Sequence, residues 1–154
     1  MNKSKHFCLN IKSNKMKKRE PVSHIMTASV ITLDKNTNDL RDANKIFNKE
    51  GIRHLPVTEG GKLCGIISKN DINRLSFGAL FDNQGDADEA VLEMLSIDQV
   101  MTAHPKVVNT ETSIKEVAEI FATQDFHSLP VVDNNELKGI VTSTDVIKYL
   151  LEQY

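Results

Sequence analysis

With 154 residues, 40% of them hydrophobic and 26% charged, the chain has the composition of a soluble globular protein and length for one domain or two small halves sharing a core. No apolar run approaches the roughly 20 residues of a membrane span, and the basic N-terminus is followed by no apolar stretch of the kind a secretory signal requires. Cys8 and Cys64 form no CxxC pair, so a reducing cytoplasm is expected, with Cys64 a small core residue.

Net charge is −2 but unevenly spread. Residues 1–20 hold seven Lys/Arg against Glu20 alone, while the remaining 134 hold 12 basic and 20 acidic groups. Such a tail suits nucleic acid or anionic lipid. Phe7 is its one aromatic, so residues 1–20 are expected to be a solvated, disordered tail, with no nucleic-acid or membrane partner. Met16 is a second potential start, which would make residues 1–15 an upstream extension.

From Pro21 onward the chain repeats itself. Val22-Ser23-His24-Ile25-Met26-Thr27 returns 75 positions later as Ile97-Asp98-Gln99-Val100-Met101-Thr102. A short extended stretch follows each, Val30–Leu33 and then Lys106–Val108. Next come helical segments whose apolar residues gather on one face: Leu40, Ala43, Ile46 and Phe47, then Ile114, Val117, Ile120 and Phe121. Thr37 and Thr112 lie just ahead and are expected as caps. The offset falls to 74 here, so the first copy carries one extra residue near Asn38-Asp39.

Leu55-Pro56-Val57 and Leu129-Pro130-Val131 are expected to be short strands, each opening on an edge-tolerated proline. Gly60-Gly61 and Asn134-Asn135 supply hairpin turns, since both pairs tolerate positive φ. The strands beyond run into Gly65-Ile66-Ile67-Ser68-Lys69-Asn70-Asp71 and Gly139-Ile140-Val141-Thr142-Ser143-Thr144-Asp145. In each motif a hydroxyl residue stands where a strand ends and a helix begins, with Asp at the third helical position. That arrangement makes a capping box, and it also leaves N–H groups facing an anion and a carboxylate facing neighbouring hydroxyls.

Each half is therefore strand, helix, strand, strand, helix: repeat 1 at residues 21–76, repeat 2 at 96–154. The fold class is α/β (α+β), two pseudo-twofold-related β-α-β-β-α units packed through their sheets, because about 55 residues cannot bury enough apolar surface alone. Between them, residues 77–95 hold Phe77, Leu80 and Phe81, then Asp86-Ala87-Asp88-Glu89 opening a helix with Val91, Leu92, Met94 and Leu95. Those acids lack the ligand alternation and glycine of a calcium loop, and acids suit a helix start, so no metal is expected.

The repeated Met-Thr pairs, the two Leu-Pro-Val strands and both Gly-h-h-Ser/Thr-x-x-Asp endings, spread over Val22 to Leu151, resemble a tandem pair of CBS domains. The stand-alone arrangement is similar to small bacterial proteins of the acetoin-utilisation type. The resemblance implies a regulatory module binding adenosyl compounds (AMP, ADP or ATP) in clefts between the repeats, with no required cofactor and no catalysis. Its alternatives are an S-adenosylmethionine or NAD sensor, or a structural dimerisation module. It further implies ribose contacts from Asp71 and Asp145, phosphate-facing Ser68, Lys69 and Thr142, and phosphate contacts from Arg53, His54, His127 and Ser128. Thr32 and Val107 would line adenine beside the motif strands at Ile66 and Ile140. Since no Arg or Lys in the second copy replaces Arg53, the first cleft is expected to carry more positive charge than the second. A second copy of the chain and a regulated protein are the implied partners.

An enzyme would need more. His54 or His127 could pair with Asp71 or Asp145, but there is no nucleophile elbow, P-loop or metal signature.

Overall fold

The computed structural model describes residues 19–76 and 86–154. A 3₁₀ turn at Val22–His24 leads to β1 (Leu33–Asp34), α1 (Leu40–Glu50), β2 (His54–Glu59), β3 (Lys62–Ser68) and α2 (Lys69–Ser76). Then come α3 (Asp86–Met94), α4 (Ile97–Val100), β4 (Thr102–Ala103), α5 (Ile114–Thr123), β5 (Ser128–Asp133), β6 (Glu136–Thr142) and α6 (Ser143–Glu152). The basic tail to residue 18, Cys8 in it, and the stretch with Phe77, Leu80 and Phe81 lie outside the described residues.

Each half is built as its sequence pattern dictates. β2 and β3 form an antiparallel hairpin, with Gly60 and Gly61 at φ 58° and 80°, and β5 and β6 form its counterpart, with Asn134 and Asn135 at φ 50° and 64°. Both hairpins carry a register irregularity at the same place, Val57/Thr58 and Val131/Val132. The first sheet runs β1-β2-β3-β4. The second keeps the same plan in shorter form, with single bridges from Val108 to Val131 and from Thr27 to Ile140 on the two sides of β5-β6. β3 packs against β6, which joins the halves through their sheets.

The repeats also exchange segments. β4, which begins at Thr102 of the second copy's Met-Thr pair, pairs with β3 of the first, while Thr27 of the first copy bridges Ile140 of the second. The cores show the same crossing. Ile97 is buried with Leu33, Leu40, Phe47, Leu55, Ile67 and Ile72, and Val100 and Met101 pack on that group. Val22 is buried with Val117, Leu129, Val131, Val141 and Val146, with Ile25 and Met26 against them. Burying one such Val, Leu or Phe side chain is worth about 1.5–3 kcal/mol, so each half takes several kcal/mol from the other's segment.

This crossing explains the glycine that opens each motif. A Cβ at Gly65 would lie 2.3 Å from Met101 Sδ; at Gly139 it would lie 2.6 Å from Met26 Sδ and 2.9 Å from the Thr27 carbonyl oxygen. Neither glycine needs positive φ. Both are small so that the other copy's methionine can lie flat on the strand.

Three local expectations change. The helix caps are Asp39 and Ser113, one or two residues after Thr37 and Thr112, because each closes a capping box with an acid three residues on, Asp42 or Glu116. Pro56 is not on an edge strand: β2 is flanked on both sides, and β1 begins opposite Val57, one residue past the missing N–H. The first strand of each repeat shrinks to two residues in the first half and one bridge in the second. Cys64 is half-buried beside the first core, and burial pushes its thiol up from the ordinary value.

Candidate functional site

A cleft of about 930 Å³ opens between the two halves. Both Ser/Thr-x-x-Asp motifs reach it, Ser68 and Lys69 from the first, and Thr142, Ser143, Thr144 and Asp145 from the second. The local bonding places them. Lys69 N–H donates to the Arg53 carbonyl at 2.8 Å and Ser143 N–H to the His127 carbonyl at 3.1 Å, so the residue before each Leu-Pro-Val strand is tied to a helix start. Across the hairpins, His54 pairs with Ser68 and Ser128 with Thr142.

The two acids are held identically. Thr142 N–H and Oγ1 donate to Asp145 Oδ2 at 2.8 and 2.7 Å, and Asp145 N–H donates back to Thr142 Oγ1 at 3.3 Å. Ser68 and Asp71 repeat the arrangement at 2.8, 2.7 and 3.2 Å. Capping therefore occupies Oδ2 in each case, and among the described residues nothing donates to Oδ1. One carboxylate thus caps a helix with one oxygen and presents the other, with a fixed orientation, to a ligand.

The cleft's charge comes from both halves. Arg53, His54 and Lys69 of the first repeat line it together with His127 and Lys148 of the second. Burial pushes the His54 imidazole below its ordinary value; His127 and Arg53 lower it further and Asp71 opposes them. His54, lowered from a value already below neutral, therefore brings no fixed charge to the cleft, whereas Arg53 offers a permanently charged fork.

This corrects the expected allotment of charge. Arg53 and Lys69 line the cleft that contains Asp145, not one set apart for their own repeat's Asp71, because the halves are crossed. The wall opposite Asp145 is Thr27, Ser29, Val30 and Ile31, the stretch following the exchanged Met-Thr pair. Thr32 is exposed outside it and Val107 lies on a different groove, whereas Val30 and Ile31 line the cleft. Asp71, Ile66 and Ser128 lie off this cleft, while Ile140 lines it.

By the 75-residue offset, His104, Pro105 and Lys106 stand to Ile66 and Asp71 as Ser29, Val30 and Ile31 stand to Ile140 and Asp145; β4 and the His104 N–H bond to the Cys64 carbonyl (3.1 Å) hold that segment against β3. Lys148 escaped sequence reasoning although its signal was there: it stands one helical turn after Asp145, on the same face. His24, without a visible partner in the sequence, meets Glu20 Oε1 through Nδ1 at 3.1 Å. Among the described residues, no three His, Cys, Asp or Glu side chains converge as metal ligands, and no helix is long and apolar enough to cross a membrane.

The family model for the CBS domain matches residues 22–78 and 97–152. Protein MJ1225 of Methanocaldococcus jannaschii is 30% identical over 138 residues, covering 88% of this chain and 49% of the relative. Its structure, described as that of a putative archaeal homolog of g-AMPK, superposes with a TM-score of 0.73 over 89% of this chain and 50% of that one. The CBS domain pair of protein MJ0100, solved in complex with 5′-methylthioadenosine and S-adenosyl-L-methionine, is 28% identical, with a TM-score of 0.72 over 88% of this chain and 99% of that one. A putative acetoin utilization protein (AcuB) from Vibrio cholerae is 26% identical, with a TM-score of 0.70 over 87% of this chain and 92% of that one. The chain spans about half the length of the first curated relatives it matches.

Proposed function

The chain belongs to the CBS-domain family as a tandem pair of its repeats, and from that premise we propose that it is a regulatory module binding a phosphate-bearing adenosyl compound (AMP, ADP or ATP) in the cleft between them. One observation carries the reading: Asp145, with Oδ1 outside its capping box, shares a cleft with Arg53 and Lys69 of the other repeat. In this reading Asp145 accepts from the ribose hydroxyls, Val30, Ile31 and Ile140 flank adenine, and Thr142, Arg53 and Lys69 hold phosphate. By pseudo-symmetry, Asp71 beside Ile66 would offer an equivalent ribose contact in the first repeat.

Protein MJ0100 binds S-adenosyl-L-methionine and 5′-methylthioadenosine, which keeps adenosyl ligands without phosphate in view. Arg53, Lys69 and Lys148 on this cleft disfavour a sulfonium cation and favour an anion. The site holds a ligand and transforms nothing. AMP, ADP, ATP, NAD, S-adenosylmethionine and methylthioadenosine compared by thermal shift test the reading, because a ligand at 100 times its Kd stabilises by about 2.7 kcal/mol. Phosphate-bearing adenosyl compounds are expected to raise Tm most and to be recovered unaltered. A larger shift with S-adenosylmethionine, or a hydrolysed nucleotide, would overturn it.

The module is further proposed to act as a homodimer. Ile147, Leu150 and Leu151 on α6 are 56%, 38% and 69% exposed, and α3 covers the corresponding helices of the first half. Light scattering at micromolar concentration is expected to give twice the chain mass, and a monomer would count against it.

A further inference from the structure

A polar chain beside the cleft is carried by the first repeat alone. Lys69, the first residue of α2, lines the cleft, and its Nζ donates to Asn48 Oδ1 on the last turn of α1 at 3.2 Å. Asn48 Nδ2 donates in turn to Asn44 Oδ1 at 3.5 Å, one helical turn back. The two bonds together fix the Asn48 amide with its oxygen toward the ammonium. By the 74-residue offset, the matching residues of repeat 2 are Ala118, Ala122 and Ser143, so all three members of the chain are missing there.

Helix formation does not account for the asparagines. Ala is the best helix former and Asn one of the weaker ones, so α1 keeps two residues that α5 replaces with better ones. Nor is Lys69 half of an ion pair. Among the described residues it pairs with no carboxylate, and Glu50, at the end of α1, pairs with Lys49 at 3.7 Å. A neutral oxygen thus holds the ammonium and leaves its charge uncancelled, and the negative end of the α1 dipole favours a cation there. The backbone fixes where that charge stands. Lys69 N–H donates to the Arg53 carbonyl at 2.8 Å, which sets α2 beside the loop leaving α1. Gly51 and Ile52 of that loop line the same cleft, so the ammonium lies at its α1 end. The Arg53 guanidinium makes no hydrogen bond or ion pair among the described residues and remains for a ligand.

We propose that Asn48 is a positioning residue that holds the Lys69 ammonium at the α1 end of the cleft, where it meets the second phosphate of an adenosine di- or triphosphate rather than the first. The proposal rests on the reading of this cleft as an adenosine-phosphate site. With ribose on Asp145 and the first phosphate between Thr142 and Arg53, a phosphate chain that continues toward α1 reaches Lys69. AMP, with one phosphate, stops short of it. Asn48 touches no ligand; through Lys69 it sets how strongly the cleft prefers ADP to AMP.

The test is calorimetric titration of AMP and of ADP into the full chain, as wild type, N48A, K69A and the double variant. N48A is expected to weaken ADP about fivefold, as for one lost hydrogen-bonding arrangement, and to leave AMP unchanged. K69A is expected to lose the preference for ADP as well, and adding N48A to K69A should then change nothing further. Urea unfolding of N48A is expected to show no loss of stability, since Ala is the better helix former, so a weaker ADP titration would not reflect a folding defect. An ADP-to-AMP affinity ratio unchanged by N48A, or an N48A effect that persists in the K69A background, would overturn the proposal and leave the cleft a nucleotide site. Failure of the wild type to bind either nucleotide would overturn the reading of the cleft and this proposal with it.

Discussion

The two halves share a skeleton and differ in what covers it. Repeat 1 is roofed by α3, whose Leu92 joins the core of Leu33, Phe47, Leu55 and Ile67, whereas repeat 2 leaves Ile147, Leu150 and Leu151 of α6 exposed. Its core is smaller and richer in valine, with Val117, Val141 and Val146 where the first half has Ala43, Ile67 and Ile72. The comparison teaches that duplication fixed the hairpin, the bulge and the capping box, while segments outside the repeated pattern decide which faces remain available.

The sharpest way to break the comparison is at the paired glycines. G139A is expected to destabilise the chain by about 3 kcal/mol, the upper end for overpacking, because its Cβ would meet a backbone oxygen. G65A should cost about 1 kcal/mol, since the atom pressed hardest is Sδ of the flexible Met101 and the Thr102 carbonyl oxygen stands 3.2 Å away. Urea unfolding measures both, and the reverse order would mean that the methionine sulfur at Gly65, rather than the carbonyl oxygen at Gly139, sets the cost.

Next in size is the paired acid. D145N should weaken AMP binding at the cleft between the halves by about 2 kcal/mol, roughly 30-fold, as expected for a charge-assisted hydrogen bond. D71N should leave that cleft's affinity unchanged while keeping its own helix capped. Calorimetric titration separates them, and equal losses from both substitutions would show that the two acids serve one ligand.

The smallest effect is a pH dependence confined to one imidazole. The folded pKa of His54 is lowered, mainly by burial. The unfolded chain therefore binds more protons just below the ordinary histidine value of about 6.5, and stability falls as pH drops through that value toward the folded one. H54Q should flatten this part of the stability curve. A phosphate ligand should return the proton to His54, so binding near pH 6 should take up protons in wild type more than in H54Q. Proton uptake measured in buffers of different ionisation enthalpy checks this, and identical uptake would remove His54 from the phosphate site.

Much of this was legible in the sequence, and the physical reasons mark where reading stopped. The apolar periods of α1 and α5, the Gly-Gly and Asn-Asn turns and both capping boxes are local, so neighbouring residues suffice to place them. The Asp39 and Ser113 caps were legible too, through the acid three residues on, although Thr37 and Thr112 drew the eye first. The crossing of the two Met-Thr segments was not legible, because each fits either hairpin equally well by composition. Only the close approach of Met26 to Gly139 and Met101 to Gly65 decides it. That one non-local fact also moved Arg53 and Lys69 into the cleft with Asp145.

The account therefore stands or falls on whether residues from opposite repeats serve one ligand. AMP should be titrated calorimetrically into wild type, R53A, D145N and the double variant. The account predicts that R53A and D145N weaken the same binding event, with a coupling of about 1 kcal/mol between them, and that R53A weakens AMP more than 5′-methylthioadenosine, which lacks phosphate. If R53A weakens a site that D145N leaves intact, each repeat furnishes its own cleft and the crossed site is wrong.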